Sequence, residues 1–358
     1  MDKIIRIGTR ESELAVWQAT QVKKLLATGG YQSELVFIKS EGDIDLKTPL
    51  YEMGVQGIFT RSLDIALLND KIDIAVHSMK DVPTQLPQGI IQASVLKRGS
   101  YKDLLVLNGQ WSVVNRHIAA IGSLQSAVGN NQLTIGNEQI DKQNSPTTND
   151  PLTIDDSRLT IENPFTIDHS PFTIATSSIR RKAQWLNRFP HHTIENLRGN
   201  VNTRMKKVAE SNWNGAIFAA AGLERINLRP VDSIELDWML PAPAQGAVVV
   251  VCKNDDTFSL EACEGFNDTN TALCTKIEKD FLRALLGGCS TPISALATIQ
   301  NNEVHFHGSI LSLDGKEKAE VKKSVSLNNA ENFGKAAADE LLKNGGQKIA
   351  DSIRDAGK

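Results

Sequence analysis

At 358 residues the chain is too long for one ordinary hydrophobic core, so its length implies two or three domains. Its 39 basic and 42 acidic side chains leave a formal charge of −3, which excludes global attraction to nucleic acid or to an anionic membrane and makes any anion site a local one. Met1-Asp2-Lys3-Ile4-Ile5-Arg6 enters a strand pattern directly and no apolar run is long enough to span a bilayer, so the expectation is a soluble, cytoplasmic protein.

Lys3 to Gly8 reads as a buried strand, and Ser12 is a suitable N-cap for a helix with Leu14, Ala15, Val22, Leu25 and Leu26 on its apolar face. Helix N-termini offer unpaired N–H groups, so Arg10 and Ser12 suit a carboxylate or phosphate; a plain cap beside a surface arginine is the other reading. Glu34 to Lys39 follows as a strand and Phe59 to Leu68 as a helix. Next, the apolar run from Ile72 stops at His77-Ser78-Met79-Lys80-Asp81-Val82, and Pro83 bars its continuation as a ladder strand. In an open α/β sheet ligands sit beyond the carboxyl ends of the strands, which is where Lys80 and Asp81 fall. A solvated turn is the alternative.

Between Asp103 and Ala175 the composition changes. Leu133–Ile135, Leu152–Ile154, Leu159–Ile161, Phe165–Ile167 and Phe172–Ile174 are near copies of one tripeptide, separated by Asp, Asn, Ser and Pro. Most of residues 108–168 therefore reads as a surface insertion, disordered or a loose set of short strands, with self-association through a sheet edge as the other possibility. Phe172 to Ala175 then gives a strand, Ser177 or Ser178 a cap, and Ile179, Ala183 and Leu186 a helix ended by Pro190. Arg180 and Arg181 stand in its first turn, against the helix dipole, which implies that an anion occupies the site. Leu197-Arg198-Gly199-Asn200 repeats the device, with Arg204 one turn on. Three arginine-bearing junctions favour a polyanionic ligand in a cleft.

Gly215 to Gly222 reads as one buried strand ending at Leu223-Glu224-Arg225, and Leu240 to Ala247 as a stiff connector between domains, leading into the strand Val248 to Val251. From Thr269 a helix (Ala272 to Leu285), a glycine loop with Cys289, three strands (Ile293 to Ile299, Glu303 to Leu311, Lys318 to Val325) and helices at Ala330 to Leu342 and Gln347 to Ile353 make a small α+β domain. Cys252, Cys263, Cys274 and Cys289 have neither C-x-x-C spacing nor a nearby histidine at metal-ligand spacing, so no metal site and no disulfide framework is expected. The first three read as buried, reduced thiols, and Cys289, between Gly287-Gly288 and Pro292, as a loop residue.

His77 to Pro83, Thr9-Arg10, Trp17-Gln18, Thr176 to Arg181, Leu197 to Val201, Ala221 to Leu223, Gln245 to Ala247 and Gly287 to Cys289 together resemble, in order, the motifs of the porphobilinogen deaminase (hydroxymethylbilane synthase) family. The resemblance implies an α/β fold: two periplasmic-binding-protein-like domains with mixed sheets plus a small α+β C-terminal domain. The implied boundaries are 1–98 with 246–265 for the first domain, 102–242 for the second with the insertion inside it, and 269–358 for the third. It implies a transferase that joins four porphobilinogen molecules head to tail on a dipyrromethane cofactor, bound by thioether to Cys289, and releases linear hydroxymethylbilane for tetrapyrrole and heme synthesis.

By the same correspondence Asp81 is the catalytic carboxylate, and Lys80, Ser78, Ser178, Arg180, Arg181 and Arg204 hold the cofactor. Arg10, Ser12, Gln18, Arg198, Arg225 and Gln245 lie at the incoming substrate. A monomer without nucleic-acid, membrane or metal partners is implied. Two departures stand out: Gln56 where members commonly carry lysine in a loop over the cleft, and Cys274 where some carry arginine. The rival readings are a two-lobed small-anion-binding module without catalysis, and a thiol enzyme pairing Cys289 with His305 or His307.

Overall fold

In the computed structural model residues 3–39, 60–109, 171–285 and 291–356 are described. Gln56, Cys289 and nearly all of the 108–168 repeat lie outside the described residues. Met1–Asn108 and Pro171–Lys358 form one compact unit, and Gly109–Ser170 is grouped apart.

The first sheet is built from β1 (Ile5–Thr9), β2 (Ser33–Phe37), β3 (Ile74–Ser78), β4 (Ile90–Val95) and a late strand, β10 (Val248–Lys253), in the order β2-β1-β3-β10-β4. β1 runs parallel to β2 and β3, while β10 is antiparallel to both its neighbours. The second sheet repeats this plan with β5 (Asp103–Leu107), β6 (Thr173–Ala175), β7 (Thr193–Glu195), β8 (Gly215–Ala219) and β9 (Ile234–Glu235), ordered β7-β6-β8-β5-β9. Here β5 plays the part of β10: it leaves the first lobe and enters the second sheet antiparallel to β8. The chain thus crosses between lobes once on the way to β5 and once on the way back to β10. A third sheet, antiparallel β11 (Ile293–Gln300), β12 (Glu303–Leu311) and β13 (Lys318–Ser326), is the C-terminal one.

Helices follow the strands as their sequence pattern requires. α1 (Glu13–Thr28) buries Ala15, Ala19, Val22 and Leu26 against the first sheet, and α2 (Arg61–Leu68) buries Leu63, Ala66 and Leu67 on the other face. α3 (Ile179–Arg188) and α4 (Val201–Glu210) flank the second sheet, each with a side-chain cap: Ser178 accepts from Arg181 N, and Asn200 from Thr203 N. The expected strand over 215–222 divides, because β8 stops at Ala219 and α5 (Ala220–Glu224) begins at once. An unbroken apolar run carries no periodicity to mark such a change. Likewise α6 (Thr257–Glu264) covers a stretch with no predicted element, and the C-terminal helices are α8 (Phe333–Leu341) and α9 (Gln347–Ala356), separated by a kink at Asn344 and Gly345.

The long helix α7 (Thr269–Leu285) joins the C-terminal sheet to the crossing segments. Its Glu278 is fully buried and accepts both guanidinium arms of Arg98, at 2.6 and 3.0 Å, together with Ala244 N and Ala297 N. Arg98 lies on one crossing segment and Ala244 on the other, so a single carboxylate fastens both to the third sheet. The crossings also meet directly, Gly99 N donating to Gly246 O at 3.0 Å. Gly246 has φ +87°, and a Cβ there would lie 2.7 Å from Ser100 O, so no other residue fits without moving the backbone.

Removing one partner of a buried pair leaves the other charge stranded, at a cost of about 3–5 kcal/mol. Arg98→Met should therefore lower the free energy of unfolding by about 3 kcal/mol or more in urea titrations, and the Arg98→Met/Glu278→Gln double variant should recover part of that loss.

Candidate active site

The reactive-looking residues gather where the parallel strands end. β3 is buried from Ile74 to His77, then tightens into a single 3-10 turn, Met79–Asp81. Met79 N donates to Ala247 O at 3.0 Å and its side chain is buried, whereas Lys80 and Asp81 are half-buried. Burial pulls the Lys80 ammonium down to about 8; Asp81 and Asp103 oppose the shift and Arg181 and Arg180 add to it. The field of the second lobe's charges thus reaches Lys80. His77, one residue before Ser78, is held neutral by burial, with Arg10 and Lys279 pushing its pKa further, to about 3. Its Nε2 has no hydrogen-bond partner.

At the end of β1, Ser12 has the extended backbone of an N-cap, but its hydroxyl makes no capping bond. Gln18, buried on α1, donates from Nε2 to Ser78 Oγ at 2.9 Å. The residues expected at substrate and at cofactor therefore already touch.

In the second lobe Arg180 and Arg181 already face an anion within the chain. The anion that balances them is the chain's own Asp103, the first residue of β5. Arg181 binds Asp103 Oδ1 through Nη2 at 2.7 Å and Nε at 3.1 Å, and Arg180 Nη2 lies 2.8 Å from Oδ2. Gln245 Nε2 adds a third donor at 2.9 Å. Burial alone would raise the Asp103 carboxyl, but the two guanidiniums outweigh it and hold the pKa at about 2. Both arginines are about nine-tenths or more buried, at 4% and 5% exposure.

Around this knot the remaining residues divide. Arg204 is pulled down to about 10 by burial and by Arg181 and Arg198, against the attraction of Asp81, which brings Lys80, Asp81, Arg180, Arg181, Arg198 and Arg204 into one electrostatic neighbourhood. Gln245, expected at the incoming substrate, lies behind the arginine pair, its amide donating to Tyr101 O and Asp103 and facing Arg180. Arg225 stacks over Trp17, 5.5 Å from the ring centroid, and donates to Gly246 O, so it touches the hinge as well as the cleft wall. No contact joins Ser12 to the group among the described residues. Asp103 and Lys279 escaped the sequence reading; an acid opening the apolar run Leu104–Leu107 is the signal that could have found the first.

The donors fit a polycarboxylate. Arg180 Nε and Arg204 Nε are buried without a hydrogen-bond partner, and the surrounding guanidiniums, with Lys80, match carboxylates by geometry and charge. Among the described residues no group of three His, Cys, Asp or Glu could hold a metal ion.

Family models for the dipyrromethane cofactor binding domain of porphobilinogen deaminase match residues 5–130 and 155–261, and for its C-terminal domain residues 272–343. The porphobilinogen deaminase of Syntrophomonas wolfei is 33% identical over 349 residues, covering 96% of this chain and 97% of the relative. That of Chlorobium phaeobacteroides is 33% identical over 365 residues, covering 99% of each. Among solved structures, a methionine-bound nutrient binding protein from Burkholderia cenocepacia aligns over 75% of this chain and 93% of its own, at 11% identity and a TM-score of 0.37. The chain belongs to the porphobilinogen deaminase family.

The Asp103 knot has a pH signature. A carboxyl depressed from 3.8 to about 2 stabilises the fold above the unfolded pKa and loses that contribution as pH falls through the folded one. Asp103→Asn should therefore cost about 2 kcal/mol or more at pH 7 in denaturant titrations, and its deficit relative to the parent should shrink between about pH 4 and pH 2.

Proposed function

We propose that this member of the porphobilinogen deaminase family uses Asp81 as its catalytic carboxylate, in a cleft whose cations hold the acetate and propionate groups of cofactor and product chain. The reaction is the family's: four porphobilinogen molecules are deaminated and joined head to tail on a covalent dipyrromethane, and linear hydroxymethylbilane is released for tetrapyrrole synthesis. One observation carries the choice of Asp81. Of the two carboxylates whose fields reach Lys80, Asp103 is buried and bound by two arginines, whereas Asp81 is half-exposed and faces the field of Arg204.

When bound, dipyrromethane supplies the nucleophilic pyrrole carbon that starts the chain. We assign Lys80, Ser78, Ser178, Arg180, Arg181 and Arg204 to its carboxylates, and Cys289 to its thioether. Arg10, Ser12, Gln18 and Arg198 are assigned to the incoming porphobilinogen, with Arg225 closing the wall beside Trp17 and Gln245 supporting the arginine pair from behind. Loss of ammonia leaves a cation, and the Asp81 carboxylate lowers its energy and can take the proton released after ring attack. Arginine on the substrate side fixes orientation through bidentate pairs.

The domain boundaries follow the two crossings. β10 returning to the first sheet supports 1–98 with 246–265 as one domain, 102–242 as the second and 269–358 as the third. We infer a cytoplasmic monomer that needs neither nucleic acid nor membrane. The formal charge of −3 supports this, as do Cys252, Cys263 and Cys274, all buried with thiols pushed up to about 11 or 12 by desolvation. Among the described residues no helix is long and apolar enough to cross a membrane.

Intact-mass measurement tests the assignment. The purified protein should carry a covalent dipyrromethane, Cys289→Ser should carry none and be inactive, and an adduct-free but ligand-binding parent would favour an anion-binding module instead. Asp81→Asn should fold and keep the adduct while kcat falls on the order of 10²-fold or more. Turnover at the parent rate would make Asp81 structural.

A further inference from the structure

We propose that Lys279, on the C-terminal domain's helix α7, is a positioning residue that orients Asp81 from behind. Its Nζ donates to Val82 O at 2.7 Å and to Pro83 O at 3.1 Å, the two carbonyls that follow Asp81 in the chain. The inference rests on Asp81 being the catalytic carboxylate.

Three ties pin the turn. Met79 N reaches across to Ala247 O, Val82 N closes the turn onto Met79 O at 3.3 Å, and Lys279 holds the exit. The exit is where the turn has least of its own, since β3 has ended and Pro83 has no N–H with which to extend a ladder. An ammonium shared by two carbonyls is a charge-assisted contact that fixes the peptide groups after Val82 and Pro83, and so anchors the chain as it leaves the turn that carries Asp81. Lys279 is half-buried, and its charge is also felt by buried His77 on the strand that leads into the turn.

The helix end of this tie is itself fixed. Glu278, the preceding residue, holds Arg98, Ala244 N and Ala297 N, so α7 cannot slide without breaking the crossing. In sequence α7 runs on toward Cys289, four residues past its last residue, Leu285. One helix therefore both leads to the cofactor cysteine and sets the turn that bears the carboxylate.

The test uses the holoenzyme, with adduct content checked by intact mass and folding by thermal denaturation. Lys279→Met should keep the adduct, lose about tenfold in kcat and change KM by less than about twofold, while Lys279→Arg, which keeps charge and donors, should restore most of the rate. Hydrogen exchange of the peptide spanning residues 77–86 should quicken in Lys279→Met and return toward the parent in Lys279→Arg. If Lys279 acts through Asp81, Lys279→Met should add little to Asp81→Asn. Parent kcat and exchange in Lys279→Met, or an undiminished tenfold loss on top of Asp81→Asn, would overturn the proposal. Asp81→Asn turning over at the parent rate would overturn the underlying reading instead, and is seen without any change at Lys279. Should Lys279→Met yield no soluble holoenzyme, Lys279→Gln, which keeps a shorter neutral donor, is measured against the same expectations.

Discussion

Two guanidiniums closing on one buried carboxylate decide how the cleft is built. Arg180 and Arg181 enter from the first turn of a helix, where cations oppose the dipole, and they are brought to Asp103 on a neighbouring strand. Neither charge could be buried alone at an acceptable cost, but together, with Gln245 as a further donor, they balance one another in the interior. The arginines are therefore ordered by the chain itself. Donor capacity is left over beyond Asp103, and it includes Arg180 Nε. Preorganised donors of this kind lose little entropy when a ligand arrives.

Much of the architecture was legible because local pattern and final structure agree. The three C-terminal strands fall within a residue of their expected ends, Lys318–Ser326 with buried and outward residues in alternation, and Ser178 and Asn200 cap the helices that their side-chain chemistry favours. The lobes' interlacing was not legible in local pattern, and only the family resemblance implied that residues 246–265 return to the first domain. β10 lies between β3 and β4, more than 150 residues away in sequence on its first-lobe side, and nothing in Val248–Lys253 says which strands it will separate. Such partners are chosen by the chain crossings and not by the strand's own residues.

The same distinction explains the site. Arginines at strand-to-helix junctions were visible because each junction is a local motif, and the inference that an anion must balance them was sound physics. The anion's identity was not local: Asp103 lies 78 residues before Arg181. Lys279 was hidden for a like reason, since a lysine on an amphipathic helix looks like solvated surface until the turn beneath it is placed.

The crossing between lobes also proves to be something other than a stiff, proline-braced rod. Ala244 takes φ +62° and Gly246 φ +87°, so the connector doubles back twice within three residues. A non-glycine residue in that conformation costs energy, and persists where its surroundings over-determine it. Here the surroundings are specific: Ala244 is fully buried and its N–H is held by Glu278, the carboxylate that also takes Arg98 from the other crossing. Backbone strain, both crossings and helix α7 thus share one acceptor. A change in the relative position of the lobes must either preserve those bonds and pivot around them or break a buried charge free. The first course is the less costly by several kcal/mol, so Glu278 holds the two crossings to each other and to the third sheet.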